Sequence, residues 1–214
     1  SLAEPRRTAR STHRRLKRRR QRVNTLKAFF AENDLLTRDE IKKLLSPENQ
    51  YDPYEIRTRA IAEKVSNEEL FLALYHIAKC RGYKSNSKAQ DEDAIKRIAE
   101  QKEKLAQKRE VGKEIKSNDE RLKVLSAVYD NKGLLAKYET VSRALVLSGD
   151  FESNKRNKAG SYKNSFMRDS FEDEAKSILR QQRKLGLKLR EEKIEALLSG
   201  RKEFMRDDGI IIAE

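Results

Sequence analysis

Apolar positions recur along this chain at three- and four-residue intervals rather than in alternation, so the pattern predicts helices and few strands. The densest run is Leu70, Phe71, Leu72, Leu74, Tyr75, Ile77 and Ala78, apolar on most sides and opened by the capping box Ser66-Asn-Glu-Glu69. It predicts the core helix, closed by Gly82 in the left-handed cap position. A second capping box, Thr37-Arg-Asp-Glu40, opens a short helix that ends before Ser46-Pro47. The turn Asp52-Pro53 precedes a helix over 54–65. Further helices are predicted over 93–109, 117–129, 133–147, 170–184 and 191–204, with polar loops at 84–91 and 148–169. The second loop exceeds twenty residues, a length that usually marks function or disorder. The fold class is all-α, and no fixed-period repeat is evident.

The first helix, predicted over about 6–32 with Pro5 in its first turn, carries a second pattern. Arg7, Arg10, Arg14, Arg18 and Arg22 fall within roughly a 120° arc of a helix, with Arg15 and Arg19 beside them. Leu16, Val23, Leu26 and Phe30 are expected to form its apolar back. No acidic residue occurs between Pro5 and Ala31. Like charges at these spacings cost a helix about 0.2–0.5 kcal/mol per pair, so the isolated helix is weak until something anionic lies along it. A four-residue step rises about 6 Å, comparable to the phosphate spacing of one nucleic-acid strand. Arginine suits phosphate better than lysine because its planar fork makes two parallel hydrogen bonds.

Charge is concentrated in the same place. The whole chain carries +14, of which residues 1–27 hold eleven Lys and Arg against Glu4 alone, so the field is local. A solvated arm or import signal needs no helical phasing, which leaves the stripe unexplained. A membrane-surface or calmodulin-type helix wants bulky apolar residues throughout, yet Arg6 to Gln21 has only Leu16. Cys80 is the single cysteine, which excludes an internal disulfide and points to a reducing, cytoplasmic compartment. No apolar run approaches a membrane span. The start at Ser1 without methionine suggests a processed product or a piece of something larger.

Catalytic chemistry is not legible. His13 and His76 lie far apart, no Cys/His metal spacing exists, and the carboxylates fall on polar helix faces beside Lys and Arg. No glycine-rich phosphate loop or serine-nucleophile motif appears. Binding chemistry is better supplied. Lys79, Arg81 and Tyr83 cluster at the end of the core helix, where cations also serve as simple partners of the helix dipole. The long loop interleaves Lys155, Arg156, Lys158, Lys163 and Arg168 with Tyr162 and Phe166, which suits phosphate contact with stacking; the two aromatics equally suit anchors to a core.

Pro5-Arg-Arg-Thr-Ala-Arg10 with Arg14-Arg-Leu-Lys-Arg-Arg-Arg20 resembles the arginine-rich bridge helix of type II CRISPR RNA-guided DNA endonucleases, the compact II-C subgroup above all. The resemblance continues through Tyr54-Glu-Ile-Arg57, through 73–86 and through 157–168, and is weakest over about 91–148. It implies a bridge helix at 1–32 and a helical recognition-lobe domain at 33–214. It implies guide RNA (crRNA/tracrRNA) and target DNA as partners, the latter paired in a heteroduplex read by backbone shape. The stripe Arg7, Arg10, Arg14, Arg18 and Arg22 would then contact guide phosphates, and Arg57, His76, Lys79 and Arg81 would line the duplex-holding surface. Nuclease domains of the family are missing, so no cofactor is expected in this chain, although the parent bacterial nuclease of antiviral defence would need Mg2+. Two alternatives stay open: a cationic docking surface for an acidic anti-CRISPR protein, and an unrelated ribosomal or chaperone-like RNA-binding protein.

Overall fold

The computed structural model describes residues 3–80, 82–83, 88–107, 120–151, 155, 157, 161–198, 204–205 and 211–212. They form helices α1 (Ala3–Glu32), α2 (Arg38–Leu44), α3 (Pro53–Ala60), α4 (Asn67–Lys79), α5 (Lys88–Gln107), α6 (Glu120–Tyr138), α7 (Val141–Leu147), α8 (Arg168–Lys184) and α9 (Glu191–Leu198). Strands β1 (Phe204–Met205) and β2 (Ile211–Ile212) pair antiparallel, Phe204 opposite Ile212. The fold is all-α apart from this short hairpin. Contacts group the chain into two units, Ser1–Cys80 with Ala175–Glu214, and Arg81–Glu174. Among the described residues no helix is long and apolar enough to cross a membrane.

In the first unit the chain builds its core around α4. Ser66 accepts from the Glu69 N–H while the Glu69 carboxylate accepts from the Ser66 N–H, so both ends of the capping box are closed. The α4 side chains Leu70, Phe71, Leu72, Ala73, Leu74 and Ile77 are all buried. Phe30 of α1 is fully buried and sets its ring edge-on to Phe71 at 5.2 Å. The Thr37 box opening α2 is closed in the same reciprocal way. Its hydrogen bonds from the Thr37 backbone and hydroxyl hold the Glu40 carboxyl below the ordinary glutamate value. The helix predicted over 54–65 stops earlier, at Ala60, because a distant residue takes over its end. Buried Gln182 of α8 donates to the carbonyls of Ala60 (2.7 Å) and Glu63 (2.6 Å) and accepts from the Val65 N–H (3.0 Å).

The second unit has its own small core of Ala94, Ile98 and Leu125, with Tyr83, Leu122 and Tyr129 against it. Two boundaries differ from the sequence pattern here. The polar stretch 84–91 is helical from Lys88, since Lys-Ala-Gln is a strong helix former with no breaker. Residues 84–87 and 108–119 lie outside the described residues, so the starts predicted there are not addressed. Gly133 does not open a helix; it sits inside α6, where the Cβ it lacks would meet nothing within 4 Å. The break falls six residues later, at Glu139 with φ 66°, followed by Thr140 as the N-cap of α7. In the first unit, α9 is described over Glu191–Leu198; residues 199–203, within the predicted helix over 191–204, lie outside the described residues, and Phe204 is in β1.

Gly82 does have the left-handed φ, +72°, two residues past the C-cap Cys80. Its hydrogen is needed twice over, because a Cβ there would lie 2.6 Å from the Phe171 ring and 2.9 Å from the Phe166 carbonyl. The described part of the long loop is held rather than loose. Asn131 donates to the carbonyls of Lys163 (2.9 Å) and Ser165 (2.8 Å), and Phe166 is buried beside Phe171.

Candidate nucleic-acid interface

Helix α1 divides into two halves with different surroundings. From Ala3 to Arg18 every side chain is exposed, and only from Arg19 onward does the helix begin to pack. Leu16 is 58 % exposed, so the apolar back predicted to include it consists of Val23, Leu26 and Phe30 alone. These lie toward one edge of the stripe rather than opposite it, which explains why Arg19 and Arg22 are half-buried while Arg7, Arg10, Arg14, Arg18 and Arg15 remain exposed. Among the described residues none of Arg7, Arg10, Arg14 and Arg18 forms an ion pair; Arg15 donates to the Thr12 hydroxyl at 3.1 Å. Four guanidinium groups thus share one exposed face over about 17 Å of axis. Among the described residues no carboxylate pairs with any of the four.

Arg22 is used differently. Its Nε donates to the carbonyl of Ala78 at 3.0 Å, at the C-terminal end of α4 where helix carbonyls lack intrahelical donors. One residue on, Lys79 is exposed with its ammonium 5.5 Å from the Tyr75 ring centre. Lys79 therefore remains an accessible cation at the junction of α1 and α4.

Arg57 and His76 are brought together, but inside. Arg57 has no exposed surface and His76 only 4 %, so neither lines a surface as expected. The Arg57 guanidinium donates to His76 Nδ1 at 2.9 Å and lies 5.4 Å from the Tyr54 ring centre, whose edge meets the imidazole. Because an arginine only donates, Nδ1 is the acceptor and the imidazole proton sits on Nε2. Within Tyr54-Glu-Ile-Arg57, Ile56 and Arg57 are buried and pack α3 on α4, while Tyr54 is half-buried and Glu55 exposed.

Within the second unit, Tyr83 is half-buried against Ala94, Ile98 and Leu125, and its backbone brackets the loop end. Its N–H donates to Phe166 O (2.9 Å) and its carbonyl accepts from Arg168 N–H (2.8 Å). Phe166 is an anchor, the second of the two roles left open for it. Lys163 is exposed and donates to the Asp150 carbonyl at 2.9 Å, while Arg168 is half-buried at the start of α8. Arg81 and Arg156 lie outside the described residues. No group of His, Cys, Asp and Glu suited to a metal ion occurs among the described residues.

No protein-family profile matches the chain. A curated relative does: it is 35 % identical over 205 residues, 93 % of this chain, to the CRISPR-associated endonuclease Cas9 of Campylobacter jejuni. The chain belongs to the Cas9 family. It spans only about a fifth of that relative's length, 19 %, and 16 % of a Streptococcus thermophilus Cas9 with which it shares 27 % identity over 207 residues. The crystal structure of C. jejuni Cas9 in complex with sgRNA and target DNA superposes over 96 % of this chain and 26 % of that one, with a TM-score of 0.67 and 29 % identity. The Cas9 resemblance read from the arginine motif and from 73–86 is thereby established, and the all-α architecture with it. Two features of this Cas9 segment escaped sequence reasoning: the tie of Arg22 to α4 and the burial of Arg57. Neither has a local signal, since a charged residue on a helix reads as surface unless its tertiary neighbours are known.

Proposed function

We propose that this chain binds the backbone of a guide RNA, and of the heteroduplex that RNA forms with target DNA, as one segment of a CRISPR RNA-guided endonuclease. The observation that carries the proposal is the exposed, carboxylate-free face shared by Arg7, Arg10, Arg14 and Arg18 on a helix half that packs on nothing else described. Each fork can clasp one phosphate, and a bound strand would replace repulsion between neighbouring arginines with attraction. Such contacts position a strand without reading its sequence. Lys79 extends the cationic surface from α1 onto α4. Support comes from the relative with TM-score 0.67, a complex with sgRNA and target DNA. A Mg2+-dependent cleavage step belongs, on this reading, to parts of a longer protein that this chain does not span, and the compact II-C subgroup is the proposed affiliation.

The test is the salt dependence of binding. For a single-stranded RNA, log K should fall with log salt by about 0.7 per phosphate neutralised, so Arg10→Ala, Arg14→Ala and Arg18→Ala together should reduce the slope by about 2. An unchanged slope would remove the stripe from the interface. The same face suits an acidic protein presenting carboxylates at phosphate-like spacing. Simultaneous binding of RNA and such a protein would show that they do not share it.

A further inference from the structure

We propose that Arg22, the fifth member of the stripe, is a positioning residue that aims the exposed arm of α1 by tying it to α4, rather than a phosphate contact. The proposal rests on the strand-binding reading of the other four arginines and deepens it. Arg22 lies roughly 60° round the helix from Arg7, toward Val23, Leu26 and Phe30, and is half-buried where Arg7, Arg10, Arg14 and Arg18 are exposed. Its Nε donates to Ala78 O at 3.0 Å. That carbonyl is in the last turn of α4, at the negative end of a thirteen-residue helix, so a cation is favoured there by the dipole as well as by the hydrogen bond.

The consequence is geometric. Upstream of Arg19 nothing described packs on α1, so the direction of the arm is set by the contacts that begin there. The apolar ones, Leu26 and Phe30, resist separation of α1 from α4 but are non-directional. The Arg22 bond is directional, and it is made to the residue next to Lys79, so it fixes the stripe against this exposed cation of the α4 end. A strand touching both Arg18 and Lys79 then meets them already aligned, which reduces the ordering cost of binding.

A substitution series separates the two roles, because Gln Nε2 is attached to Cδ as Arg Nε is. Arg22→Gln therefore keeps a donor at the same place and deletes the charge, whereas Arg22→Ala deletes both. Binding of a single-stranded RNA of about 20 nucleotides to the 214-residue chain is measured across a salt series, with circular dichroism melts to verify folding. Arg22→Ala should weaken binding about five- to tenfold with the salt slope unchanged, and Arg22→Gln should restore affinity to within about twofold. If Arg22→Gln loses as much as Arg22→Ala and the slope falls by about 0.7, Arg22 touches phosphate and the inference is wrong. If neither variant changes affinity, the tie to α4 does not aim the arm and the inference is equally wrong. Absence of salt-dependent binding by the unmodified chain would instead overturn the strand-binding reading beneath it.

Discussion

Replacing Gln182 tests whether one amide closes the first unit. Its side chain is 3 % exposed and reaches across 117 to 122 residues of sequence to satisfy two carbonyls and one N–H at the turn between α3 and α4. Gln182→Leu keeps the length and approximate volume but leaves the buried Val65 N–H and Ala60 carbonyl without partners; the Glu63 carbonyl is nearer solvent and can take water. Each unsatisfied buried group costs about 1–3 kcal/mol, partly offset by the apolar gain of leucine, so a net loss of about 2–4 kcal/mol is expected. Gln182→Glu sharpens the test. A carboxylate could still accept from Val65 but would face two carbonyl oxygens, so its folded pKa should rise above the ordinary glutamate value. A raised carboxyl pKa means the variant holds its stability below the unfolded value and loses it as pH rises through the folded one. Urea unfolding followed by circular dichroism measures both differences from wild type. A Gln182→Leu variant within about 0.5 kcal/mol of wild type, or a Gln182→Glu deficit independent of pH, would refute the reasoning.

The two halves of α1 should respond oppositely to truncation: Phe30→Ala should cost about 3–5 kcal/mol in urea unfolding, whereas Leu16→Ala, at a 58 % exposed site, should stay within about 0.5 kcal/mol. Gly82→Ala should destabilise by about 2–4 kcal/mol, since φ is +72° and the new Cβ would meet the Phe171 ring and the Phe166 carbonyl; a near-neutral melt would contradict that geometry. Glu40, held down by its bonds to Thr37, should titrate below the ordinary glutamate value in an NMR series and return to it in Thr37→Ala. Because that pKa is lowered on folding, the capping box should contribute stability above the unfolded glutamate value and lose it as pH falls through the folded one.

What was legible in the chain follows the range of the forces involved. Capping boxes at Thr37 and Ser66, the dense apolar run of α4 and the arginine phasing are local signals, written within a few residues, and each appears in the structure where the pattern placed it. Gly133 misled because a helix tolerates a glycine at about 1 kcal/mol, while the actual break at Glu139 and Thr140 uses a left-handed non-glycine residue and an ordinary N-cap. The end of α3 is set by Gln182, over a hundred residues away, which no window contains. Helix α8 contributes to both units, so the division of the chain could not be read as a boundary along it. Arg57 and His76 were legible as members of two separate family motifs but not as a buried pair, since burial of a guanidinium depends on Tyr54 and α4 enclosing it. The short β1–β2 pairing was signalled only by the run Ile210-Ile-Ile212 after Asp207-Asp-Gly209.

The central claim concerns which arginines meet the strand, and side-chain NMR of the guanidinium Nε–Hε groups reads that residue by residue as guide RNA is added. Signals of Arg7, Arg10, Arg14 and Arg18 should shift together and saturate at one stoichiometric equivalent, while enclosed Arg57 stays where it was. Shifts confined to residues off this face, with those four unmoved, would contradict the account.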